Sequence, residues 1–248
     1  MKKIVFFKII SFCLYFSGCL QASSKARPSF ELDYSSKSKE ELFQVMINEE
    51  KKSTSEENFT KLIKEFLRKG GDPNRKNEKG NTLLIISSIR GYLGSSRYLL
   101  DNKATIYEDN DGGMTAVSYA SFYGYEKLVK FLLERNIDAN KTNVDGVSPL
   151  LYASQDGFSE IVRMLMDTNA KPNEAEKGGT TPLIMATFEN KEKVVEVLSS
   201  YARTDVNKPN KEGETALFIA SEEGFTEIVR ILLKNPKILV DKKDASGR

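Results

Sequence analysis

Histidine is absent from all 248 residues, which removes the commonest general acid–base group and the commonest metal ligand. Cysteine is almost absent: Cys13 and Cys19 are the two, both near the N-terminus. The rest of the chain has no thiol and no disulfide, so it is indifferent to redox conditions and suits an exported protein. An excess of one charge is missing as well. The formal net charge is +2, but Lys2, Lys3 and Lys8 stand in an acid-free leader, and without them the chain is close to neutral. Such a chain has no general attraction for nucleic acid or an anionic membrane. Its basic stretches, such as Lys234 to Lys243, are short and interrupted, which argues against a nucleic-acid partner. No phosphate loop, nucleotide fingerprint, metal-spaced cluster or nucleophile elbow is present. The carboxylate pair Glu222 and Glu223 reads as a solvated face, because adjacent helix residues point in different directions. No catalytic residue, cofactor or metal is expected. What remains, 40% hydrophobic and 29% charged residues, suits a folded soluble body.

Residues 1–26 run from a basic start through an apolar stretch, Ile9 to Phe16, to small residues, the order of a secretory signal peptide. A membrane-spanning helix competes with this reading, but Lys8 interrupts the run, and Ile4 to Leu20 falls short of the roughly 20 apolar residues a span needs. Phe16-Ser17-Gly18-Cys19 resembles the lipobox of bacterial lipoproteins, with Phe16 in place of the usual leucine. The resemblance implies that Cys19 is acylated and becomes the first mature residue, anchoring the chain to membrane. Cleavage after Ala22 or Ala26 is the alternative, with Cys19 then an ordinary part of the signal. On the lipobox reading the domains are a signal peptide over 1–18 and a serine-rich flexible tether over 19–38, with an end-to-end distance of roughly 25 Å. The expected location is the bacterial envelope, periplasmic or surface-facing, and otherwise the periplasm or the medium.

Glycine recurs at Gly80, Gly113, Gly146, Gly179, Gly213 and Gly247, a period in the range that marks a solenoid. Two residues after the first five stand Thr82, Thr115, Ser148, Thr181 and Thr215, hydroxyls suited to capping a helix N-terminus. Pro149 and Pro182 follow where the first helical turn tolerates proline. Small residues come next, Ser87, Ala120, Ala153, Ala186 and Ala220, as close packing of equivalent helices requires. Gly91, Gly124, Gly157, Asn190 and Gly224 suit a left-handed helix end. A second apolar helix then leads into turn clusters such as Gly70 to Asn74, Asn136 to Asn140, Asn169 to Asn173 and Thr204 to Asn207.

Turn, helix, turn, helix and an outward hairpin at this period resemble the ankyrin repeat, and Thr181-Pro182-Leu183 and Ser148-Pro149-Leu150 carry its motif best. The resemblance implies an all-α ankyrin-repeat solenoid of helix-turn-helix units joined by β-hairpin loops. Its repeats occupy 77–109, 110–142, 143–175, 176–209 and 210–242, behind a divergent capping repeat over 39–76 and before an incomplete one at 243–248. The family histidine is replaced by Ile85, Ser118, Leu151, Ile184 and Phe218, and the apolar replacements are expected to add buried area. The apolar edge of repeat five has no evident cap. Either more sequence follows or self-association covers that edge.

The resemblance further implies a protein partner held by hairpin tips and the exposed side of the first helices, which line a concave groove. Aligned tip positions are Asn81, Met114, Val147, Thr180 and Glu214. Two more positions per repeat are Ile89 and Arg90, Phe122 and Tyr123, Gln155 and Asp156, Phe188 and Glu189, and Glu222 and Glu223. The candidate contacts are Ile89, Arg90, Met114, Phe122, Tyr123, Val147 and Phe188, grading into acidic Glu214, Glu222 and Glu223. Aromatics in such a groove make good anchors. Tyr92, Tyr125, Phe158 and Phe225 form a further ladder that reads as structural, stacking along the solenoid.

Overall fold

The five hydroxyls fix where the repeats begin. Each is an N-cap in extended conformation whose oxygen accepts from the backbone N–H three residues on, at 3.3 Å from Ile85, Ser118 and Ile184 and at 3.2 Å from Leu151 and Phe218. A bond of this kind satisfies a helix-end donor that would otherwise be orphaned. The computed structural model describes residues 34–48 and 54–247. The expected signal peptide with Cys19, most of the expected tether, the segment 49–53 and residue 248 lie outside the described residues.

Twelve helices and no strand occur among the described residues. The capping unit has α1 (Lys39–Asn48) and α2 (Glu56–Arg68). Five helix pairs follow: α3 (Leu83–Ile89) and α4 (Leu93–Asp101), α5 (Ala116–Phe122) and α6 (Glu126–Glu134), α7 (Pro149–Asp156) and α8 (Ser159–Asp167), α9 (Pro182–Phe188) and α10 (Glu192–Ser200), and α11 (Ala216–Glu222) and α12 (Thr226–Leu233). First helices pack on first helices, second on second, and the two helices of a pair on each other. Ser87, Ala120, Ala153, Ala186 and Ala220 are fully buried in this stack. One apolar core runs through it, from Phe43, Phe59 and Phe66 in the cap to Leu232 in α12. The cap is tied to the first hairpin by Arg75, which makes paired 2.7 Å bonds to Glu40 and covers the Phe43 ring at 4.3 Å.

The first helices end on left-handed residues, with φ of 75° at Gly124 and 51° at Asn190. At Gly124 there is a second reason for glycine. A Cβ built there would come within 2.6 Å of the Phe158 ring of the next repeat. The Tyr125 ring meets Gly91 in the same way, so these two members of the aromatic ladder each pack on the glycine of the repeat before, while Tyr92 lies 5.7 Å from the Phe59 ring of the cap. Gly124→Ala combines a left-handed strain with a steric clash and should destabilise the body by about 1–3 kcal/mol, read from the urea midpoint.

The loops turn as hairpins without forming strands. Their only bridge among the described residues is Asp109 with Thr115. Asparagine side chains close them where the family histidine is missing. Asn143 Oδ1 accepts from Asp145 and Val147 N–H at 2.9 and 2.8 Å, and Asn77, Asn110 and Asn210 make equivalent pairs. The histidine replacements Ile85, Leu151 and Ile184 are buried as expected, whereas Phe218 is only half-buried. Loops are also tied to their neighbours, as by Val144 N–H to Gly112 O at 3.0 Å and Lys177 N–H to Asp145 O at 2.9 Å.

A second asparagine series bridges consecutive repeats. Asn173 Oδ1 accepts from Asp205 N–H at 2.8 Å while its Nδ2 donates to Arg203 O at 2.8 Å, and Asn74, Asn140 and Asn207 repeat the pattern. The equivalent residue between them is Tyr107, which is 60% exposed. Tyr107→Asn would supply the missing bridge between the first and second pairs. It should stabilise the body by about 1 kcal/mol, the net worth of one to two hydrogen bonds, and slow amide exchange at that junction.

The outer edge of the last pair shows what a neighbouring repeat covers. Val240 is 72% exposed, yet its counterparts Ile106, Ala139 and Val206 are 7, 5 and 2% exposed. Leu233 is 50% exposed where Leu133 is 9% and Met166 1%.

Candidate protein-binding groove

The first helices α3, α5, α7, α9 and α11 lie side by side with the same polarity, so residues near their C-terminal ends form one continuous face. Phe122 is the centre of that face. Its ring meets Tyr123 edge-on at 4.8 Å and Tyr152 edge-on at 5.4 Å, while Tyr119 stacks on Tyr123 at 6.4 Å. Edge-to-face geometry aligns ring quadrupoles favourably, so the cluster is held in shape before any partner arrives. Two loop asparagines reach into it: Asn110 Nδ2 donates to the Tyr119 hydroxyl at 3.1 Å and Asn143 Nδ2 to the Tyr152 hydroxyl at 3.0 Å. Phe122, Tyr123 and Tyr119 are half-buried, and Tyr152 is buried beneath them. Tyr119 and Tyr152 were not among the residues expected from sequence, because they occupy the position that holds buried Ile86, Met185 and Ile219 in other repeats.

Of the expected contacts, Ile89, Met114 and Phe188 are half-buried, and Glu222 and Glu223 are exposed at the far end. Val147 and Glu214 do not lie on the accessible face: they are 2 and 6% exposed. The N–H and C=O of Val147 both bond to Asn143, at 2.8 and 3.0 Å, and Glu214 is tied to Asn210 in the same way, but Met114 makes the same pair with Asn110 and stays half-buried, so the closure alone does not set the burial. Asn81 and Thr180, at the same position, are buried too. Arg90 is also displaced from the expected role. Its guanidinium covers the Phe59 ring of the cap at 4.8 Å and lies 5.9 Å from Tyr92, which makes it part of the contact between repeats.

Beside the aromatics, Asp156, Glu189 and Glu223 occupy equivalent positions in three successive repeats. The Asp156 carboxyl is held above its ordinary range, first by loss of hydration on the side facing the protein and further by the charge of Glu189, with Lys191 acting against both. Between the layers of Phe122 and Phe188 lies Gln155, whose Oε1 is buried without a hydrogen-bond partner among the described residues. No group of acidic or cysteine side chains among the described residues has the arrangement to hold a metal ion.

Stacked helix pairs at a fixed period, with an aromatic and acidic face outside the repeating framework, define a repeat solenoid. Family models for ankyrin repeats match residues 53–143 and 137–210 as three-copy units and 188–233 as a many-copy unit. The chain belongs to the ankyrin-repeat family, whose repeats generally mediate protein–protein interaction. The match begins at residue 53, so it includes α2 of the capping unit and excludes α1. A search of curated proteins finds no match.

Proposed function

We propose that this chain is an exported, membrane-tethered recognition module that holds a protein partner in the groove around Phe122, Tyr123 and Phe188. The observation that carries this reading is the aromatic cluster, whose rings are packed edge-on yet keep an accessible side. Preorganised aromatics contribute large contact area at low entropic cost. The test is site-specific photo-crosslinking in the native envelope. A crosslinker at Phe188 should trap one discrete partner, and one at Lys130, exposed on the second helix α6, should not. Equal trapping at both would reject the groove.

The export half of the proposal rests on the leader and on Phe16-Ser17-Gly18-Cys19. Mass analysis of the mature N-terminus should find a diacylated Cys19. An unmodified terminus after Ala22 or Ala26 would remove the lipid anchor and leave a soluble exported protein.

A second reading, self-association through the edge of α11 and α12, is favoured by the exposure of Val240, Leu233 and Leu239. Light scattering separates the two. A concentration-independent monomer mass contradicts self-association, and a dimer abolished by Val240→Lys supports it.

A further inference from the structure

The groove has a chemical polarity that narrows its partner, provided the groove is the binding site. Phe122 and Tyr123 stand in one layer and Phe188 two layers on, all near the C-terminal ends of first helices. Alongside them the equivalent positions of three neighbouring layers are Asp156, Glu189 and Glu223. Helices packed side by side are about 8–10 Å apart, so the carboxylates form a column with that spacing. The polarity of the helices adds to it, because the negative ends of parallel helix dipoles gather on the same side. Burial, and after it the charge of Glu189, raise the cost of ionising Asp156 against the pull of Lys191, and a further cation placed between successive layers would lower that cost. A phosphate backbone would meet the opposite effect.

We propose that the occupant is an extended basic segment of a partner protein, with Lys or Arg side chains against Asp156, Glu189 and Glu223, one apolar or aromatic side chain against Phe122 and Tyr123, and a second against Phe188 two layers on. The spacing selects the conformation. A polyproline II chain turns once every three residues and advances about 9 Å in doing so, so side chains at i, i+3 and i+6 lie on one side at the interval of the helix layers. A helical partner, rising about 5.4 Å per turn, matches the column less well. The arrangement therefore reads basic residues at every third position, next to an apolar anchor over the second repeat. Arginine is favoured next to the rings, where its guanidinium stacks on an aromatic face while pairing with a carboxylate.

The test is selection of a random peptide display library on the full chain. The same selection is run on two variants: Asp156→Lys with Glu189→Lys and Glu223→Lys, and Phe122→Ala with Tyr123→Ala. Circular dichroism confirms that each is folded, and Asp156→Gln with Glu189→Gln and Glu223→Gln replaces the charge reversal if that variant is not. Selected peptides should carry Lys or Arg at three-residue intervals, should weaken as salt rises, and should lose about 30-fold or more in affinity on charge reversal, as expected for truncated charge pairs. Enrichment of neutral or acidic peptides, no enrichment at all, or affinity unchanged by charge reversal would overturn the basic occupant. If the aromatic variant alone abolishes binding, the groove stands and only the partner's charge is wrong. If neither variant changes binding, the groove assignment itself fails.

Discussion

Leu165→Ala is expected to lower the unfolding free energy by about 2–5 kcal/mol, the range for deleting a buried leucine side chain from a core that relaxes incompletely. Leu165 lies in α8 with no solvent exposure and belongs to the continuous core. Its register places it level with Leu132 in the repeat before and Leu198 in the repeat after, both fully buried. A cavity there weakens two interfaces at once, and in a solenoid each repeat is stabilised only by its neighbours. The urea transition should therefore move to a lower midpoint and broaden as the two flanking segments cease to melt together. Leu233→Ala is the control. That side chain is half exposed at the outer edge, so its loss should cost less than about 1 kcal/mol. Equal effects from the two substitutions would mean that the core does not run through the stack as described.

Phe122→Ala combined with Tyr123→Ala should reduce partner affinity by about 100-fold or more, since central aromatic anchors contribute about 2 kcal/mol or more each when truncated. The same substitutions remove the edge-on contacts of Phe122 with Tyr152 and of Tyr123 with Phe122, each worth about 0.5–1.5 kcal/mol beyond buried area. Some loss of stability is thus built in, and affinity has to be measured below the variant's transition. Tyr152 stays in place through Asn143 and through its own burial, so the backbone of α5 and α7 should keep its exchange protection. Loss of affinity with retained protection is the expected result. Loss of both would assign the rings to the core.

The fold was readable in sequence wherever its cause is local. Thr82, Thr115, Ser148, Thr181 and Thr215 cap the helices because capping needs only a hydroxyl and the next three residues, and Gly224 ends one because only its own φ is involved. The groove was less readable because accessibility depends on neighbouring repeats. Val147 and Glu214 follow a turn glycine and look like hairpin tips, yet the stack buries both. Arg90 looks like part of the wall until Phe59, distant in sequence, is brought against it. The bridging series Asn74, Asn140, Asn173 and Asn207 was visible as recurring turn residues. Its role between repeats needs the backbone groups about thirty residues away that only the stack brings into reach. Tyr119 and Tyr152 gave no separate signal, since a tyrosine at a core position is ordinary until its hydroxyl is seen bonded to a loop amide.

The central claim is that a protein partner is held on the first-helix face. With the crosslinked partner in hand, hydrogen–deuterium exchange on the full chain measures this most directly. The account predicts added protection at the C-terminal ends of α5, α7 and α9 and in the turns after them, and none along the second helices α6, α8 and α10. Protection confined to those second helices, or to the edge of α11 and α12, would contradict it.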